Sequence, residues 1–78
     1  MVFTRPPADH IPLVAIYSPA GSWHLRDGER RDCLAYILEH NPELSCIIAN
    51  DGESIPDLRA RMFREMRSRK IEPVAGCP

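Results

Sequence analysis

Ile11-Pro12-Leu13-Val14-Ala15-Ile16-Tyr17 is the stretch on which the fold turns. Its apolar residues fall on both alternating faces, the pattern of a strand covered on two sides. Pro12 cannot donate to a ladder and is tolerated because it stands at the strand's start. Ser18-Pro19-Ala20-Gly21-Ser22 follows. Proline at the second turn position, with glycine two residues later, predicts a type I turn closed by a left-handed glycine, the three-residue hairpin connection. Trp23 and Leu25 then alternate with Ser22, His24 and Arg26, giving a second strand with one dry face and one wet face.

Beyond the hairpin, Asp27-Gly28 reads as the end of that strand, with Asp27 capping a helix that begins at Glu29. Cys33, Leu34, Ile37 and Leu38 fall within one arc at helical spacing, and Asn41-Pro42 stops the helix. Leu44 to Ala49 is β-branched and short, a third strand. Ser54-Ile55-Pro56-Asp57 then marks a second helix: a serine cap, a proline in the first turn and an acidic residue that can bond back. Ile55, Leu58, Met62, Phe63 and Met66 form its expected buried stripe. Residues 71–75 are a candidate fourth, edge strand that Pro73 weakens.

The element order is β-β-α-β-α. A right-handed crossover from the second strand to the third leaves a gap that the first strand fills, giving a three-stranded sheet in the order 2-1-3. The expected architecture is a small α+β two-layer sandwich with both helices on one face. An uncovered apolar sheet face, carrying Val14 and Ile16 or Leu13 and Ala15, would then be a place for a partner. Residues 1–10, with Pro6-Pro7, read as a flexible N-terminal arm; 11–75 form the single domain and 76–78 a tail.

A length of 78 residues allows one domain and little room for a cofactor cleft beside a substrate lobe. An apolar fraction of 44% and a charged fraction of 27% are those of a globular domain, which argues against wholesale disorder. A net charge of −1 gives no global pull towards nucleic acid or an anionic membrane. No window approaches the roughly 18 apolar residues that a spanning helix needs, and no leader is visible, so no membrane is expected as a partner. Three cysteines without CxxC spacing do not make a disulfide framework, which points to a reducing cytoplasm. Cys33 and Cys46 then read as small core hydrophobes and Cys77 as an exposed thiol.

The second helix holds the charge asymmetry. Residues 57–78 carry six positive charges against three negative, whereas residues 1–56 carry four against eight. Asp57, Arg61, Glu65 and Arg69 repeat every four residues, a ladder of alternating sign that supports a solvated helix. Arg64 and Arg67 remain on the outward face, with no exposed aromatic among them. Cys33, Tyr36 and His40 share a face of the first helix, but no close ligand pair of the structural-zinc kind is present, so neither metal nor cofactor is expected. Ser22, His24 and Asp27 supply triad residue types without a group fixed behind the imidazole, and no glycine-rich phosphate loop occurs.

With no catalytic constellation, the expected function is that of a small non-enzymatic regulator, inhibitor or subunit that binds another protein. The expected contact residues are Arg61, Arg64 and Arg67 on the second helix and Trp23 and His24 at the hairpin, because aromatic residues and arginine dominate binding hot spots. An inhibitor of a host protein encoded by a mobile element fits by analogy alone. Homodimerisation through an open strand edge is compatible with this function. The alternative is a nucleic-acid-binding module using the same arginines.

Overall fold

The computed structural model describes residues 10–74. Strand β1 spans His10–Tyr17, β2 Trp23–Arg30 and β3 Ser45–Ile48; helix α1 spans Arg31–His40 and α2 Ile55–Ser68. The sheet order is β2-β1-β3, with β1 antiparallel to both neighbours. This is the expected α+β chain with its apolar strand in the centre. The hairpin turn also forms as its residues dictate. Gly21 N–H donates to Ser18 O at 3.0 Å, Ser18 N–H to Ser22 O at 2.9 Å, and Gly21 takes a φ of +97°. Only a residue without Cβ enters that region at little cost.

The helices do not share a face. Ala15 and Tyr17 of β1 pack with Leu58, Met62 and Met66 of α2, joined by Leu13, Trp23, Leu25 and Ile47. Val14 and Ile16 pack instead with Leu34 of α1, joined by Leu38, Leu44 and Cys46. Alternate residues of one strand point to opposite faces, so one helix lies on each side and the arrangement is three-layered. The expected two-layer sandwich is therefore corrected, and the bare sheet face with it: Val14 and Ile16 are fully buried. Both apolar faces of β1 need cover, and a helix about 10 Å wide shields most of a face about 14 Å across.

Strand β2 and helix α1 also differ from expectation. β2 runs past Asp27-Gly28 to Arg30, and α1 starts at Arg31 with Arg30 as its cap position. Asp27 caps nothing; instead Asp32 Oδ1 accepts the Cys33 N–H at 2.8 Å. Long-range pairing overrides the local stop signal, since His10 lies opposite Arg30 and Ile11 opposite Glu29. His10 thus belongs to β1 rather than to an arm; residues 1–9 and 75–78, which include the end of the expected edge strand and the tail, lie outside the described residues. Pro12 opposite Gly28 is the one interior position missing from the register. There the proline has no N–H and Gly28 sits at φ +67°. Beyond this break Ile11 joins the α1-side core despite its odd number.

In α2, Ser54 Oγ accepts the Asp57 N–H at 3.3 Å and Pro56 occupies the first turn, as its sequence requires. Leu58, Met62 and Met66 are buried, but Ile55 is 51% exposed, because it precedes the turn that meets the sheet. Residues 71–74 form no strand. Pro73 lacks a donor, and the segment crosses the hairpin tip instead of running along an edge, with Val74 N–H donating to Gly21 O at 2.9 Å. Cys33 is exposed and Cys46 half-buried, so Cys33 is not a core residue. It points from α1 towards the groove with Tyr36 rather than onto the sheet.

Candidate functional site

The basic face of α2 divides into parts with different surroundings. Arg61 is committed. Its Nη2 lies 2.8 Å from Glu53 Oε1 and its Nε 3.0 Å from Glu53 Oε2, a two-pronged pair, and Nη2 also donates to Ile48 O at 2.9 Å. Arg61 and the Asn50 N–H together hold the Glu53 carboxyl below the usual carboxylate range, the hydrogen bond from Arg61 contributing most. Arg61 therefore turns away from the Asp57 ladder and reaches back eight residues. The other end of the ladder does form, with Arg69 Nε 3.2 Å from Glu65 Oε2.

The Arg61–Glu53 pair has a place in the sheet. Ala49 N–H donates to Leu13 O, so residues of odd number in this segment pair with β1 and the main-chain groups of Ile48 face outward. Arg61 thereby satisfies a carbonyl on the free edge of β3. Arg69 Nη1, 3.3 Å from Ser45 Oγ, flanks the same four-residue edge. Such covering of an edge is a common defence against unwanted pairing.

Arg64 and Arg67 are exposed. The Arg67 guanidinium stands 5.9 Å over the Phe63 ring, one helical turn earlier. Phe63 in turn meets Trp23 edge to face, with ring centroids 5.3 Å apart and planes at 82°. Strand parity explains the meeting, because Trp23 lies opposite Tyr17 and so shares its α2-facing side. The indole Nε1–H donates to Val74 O at 2.6 Å. Trp23, Phe63, Arg67, Glu72, Pro73 and Val74 line one surface cleft of about 320 Å³. Trp23 thus serves as a partial core plug and as a cleft wall together.

His24 lies elsewhere. It follows Trp23 on the strand and projects to the opposite, α1-facing side, so the two hairpin residues cannot meet one flat partner surface together. Of the five expected contact residues, the structure brings together only Trp23 and Arg67 in one cleft, with Arg64 on the adjoining helical surface. Phe63 and the Glu72–Val74 segment complete the cleft and were not read from the sequence as contact residues. Strand parity and the four-residue spacing of Phe63 and Arg67 are the signals that place Phe63 there; nothing local announces the Val74 contact, 51 residues from Trp23 in the chain.

On the other side of the sheet, Arg26, Glu29, Asp32, Cys33, Tyr36 and Ile37 line a groove of about 410 Å³. Its buried Glu29 is paired with Arg26 at 2.7 Å. His40 Nδ1 lies 3.0 Å from Tyr36 O and its ring stacks on Tyr36 with centroids 4.0 Å apart. Partial burial pushes the Cys46 thiol pKa up. Among the described residues no three histidine, cysteine or carboxylate side chains converge as a metal site, and no helix is long and apolar enough to cross a membrane. No known protein family, curated protein or solved structure matches the chain.

Proposed function

We propose that this protein is a small non-enzymatic regulator, inhibitor or subunit that works in the cytoplasm by binding another protein through the outer surface of α2 and the adjoining hairpin. The observation that carries this reading is the run of contacts at the surface in which Arg67 lies over the Phe63 ring and Phe63 meets Trp23 edge to face. Arginine and large aromatics that are already ordered lose little entropy on contact and are the residue types that dominate hot spots. Arg64 extends the same surface with a second exposed cation. Arg61 supports the fold at the β3 edge and leaves the contact to the other two.

The competing use of these cations is phosphate recognition. The two are separated with the double variant Arg64→Glu/Arg67→Glu, whose circular dichroism is expected to match the native chain. Protein binding predicts a specific partner in native host extract that the double variant loses and Glu39→Lys, on α1, retains. It also predicts no nucleic-acid binding at physiological salt. An affinity for RNA or DNA that falls steeply as salt rises, abolished in the double variant, would replace protein binding by the nucleic-acid module.

A further inference from the structure

We propose that the hairpin tip with Trp23, Phe63 and Arg67 is a binding site for a short extended peptide of the type acidic residue–proline–aliphatic residue, and that Glu72-Pro73-Val74 of the same chain is seated on it in cis, where it walls the neighbouring cleft. The inference deepens the protein-binding reading above and rests on it.

The hairpin holds Val74 by its main chain. Gly21 O accepts the Val74 N–H at 2.9 Å, and the Trp23 indole N–H donates to Val74 O at 2.6 Å. Satisfying both main-chain groups of one residue is how an added extended segment is gripped, whatever its side chain. The hairpin tip is shaped for that close passage, since a Cβ on Gly21 would collide with the Glu72 carbonyl oxygen. Side chains add selectivity. Pro73 and Val74 line the cleft with the Trp23 and Phe63 rings, and Arg67 and Glu72 bring opposite charges to it.

The grip in cis is light. Val74 is 52% exposed, Glu72 is exposed, and residues 71–74 lie outside any helix or strand. Ile71 is anchored on the α2-side core and Pro73 is half-buried, so low-cost opening is confined to Glu72–Val74, which the tether at Ile71 keeps close to its seat. A partner presenting the same three-residue chemistry competes for the same groups. Release of the strap bares the rings of Trp23 and Phe63 to that partner.

Trp23 is the chain's single tryptophan, so its fluorescence reports on the cleft alone. The probe is a blocked peptide, Ile-Glu-Pro-Val-Ala, titrated into the full chain and into Val74→Pro, which lacks the N–H given to Gly21. Saturable binding is expected, roughly three- to tenfold tighter to the variant because its tethered competitor has lost a hydrogen bond. A peptide with lysine in place of glutamate is expected to bind more weakly. In the native chain, the peptide is also expected to speed hydrogen exchange at the Val74 amide, a readout independent of the variant's folding. No saturable change with either protein, or peptide binding that leaves the Val74 amide protected, overturns the proposal. Loss of the host partner in Arg64→Glu/Arg67→Glu without any peptide binding removes this site and leaves the protein-binding reading standing.

Discussion

Lys70 sits at φ +60°, the one residue other than glycine with positive φ among the described residues. It closes α2 in a Schellman arrangement: Ile71 N–H donates to Met66 O at 2.9 Å and Lys70 N–H to Arg67 O at 2.9 Å. An L-residue with a Cβ pays about 1–2 kcal/mol in that region. Replacing it with glycine removes this penalty but loosens the unfolded chain by about 0.4–1 kcal/mol. Lys70→Gly is therefore expected to stabilise the fold by about 0.5–1 kcal/mol, the balance of those two terms. For a domain of this size that raises Tm by roughly 2–8 °C. The lysine is exposed, so loss of its charge adds little. Urea unfolding followed by circular dichroism reads the change as a higher midpoint at unchanged slope. Lys70→Ala keeps the Cβ and is the control that gains nothing. A Lys70→Gly chain no more stable than the native one, at equal slope, would refute the assignment of strain to this residue.

Three further outcomes follow from the packing and the charges. Met62→Ala, beneath α2 against β1, is expected to cost about 2–5 kcal/mol in urea unfolding, whereas Ile55→Ala is expected to stay within about 0.5 kcal/mol because its side chain is already half in water. Arg61 holds Glu53 below its ordinary value of 4.5, so this carboxylate adds stability above that pH and the contribution is lost as pH falls through the lower folded value. Glu53→Gln is accordingly expected to unfold at lower urea than the native chain at pH 7, with the difference shrinking towards pH 3. Cys33 is expected to react with a thiol-alkylating reagent at pH 7.5 before Cys46, whose burial raises its pKa; mass mapping of the alkylated sites reads the order.

The elements whose structure is set by neighbours in the chain were legible. Pro19 and Gly21 make the hairpin, Ser54 and Pro56 start α2, and the two-sided apolarity of β1 puts it in the centre of the sheet. Elements set by distant partners were not. Gly28 carries every local mark of a stop, yet β2 continues because His10 and Ile11 lie across from Arg30 and Glu29. Periodicity identifies which residues of a helix are apolar but not on which side of the sheet its connection passes, so the separation of α1 from α2 across the sheet is not legible in it. The same division holds at the candidate site. The surplus of cations on α2 is plain in the sequence, and Arg67 remains exposed as expected. The capture of Arg61 by Glu53 breaks helical spacing and follows from the path of the loop between β3 and α2.

Covering one margin of the sheet has a consequence for assembly. The main-chain groups of Leu25 and Asp27 on β2 face away from β1, since Ser18 pairs with Ser22 and the even residues of β2 take the inward bonds. The opposite margin is a four-residue strand fenced by Arg61 and Arg69. A fibre grown strand upon strand needs two receptive sides on every subunit, and here one side is only four residues long with its Ile48 carbonyl already taken. Lateral joining between copies would use β2 twice and then end as a closed pair. Changing Arg61 would free the Ile48 carbonyl and leave Arg69 alone beside that margin, removing the one main-chain cap that stands against strand addition there.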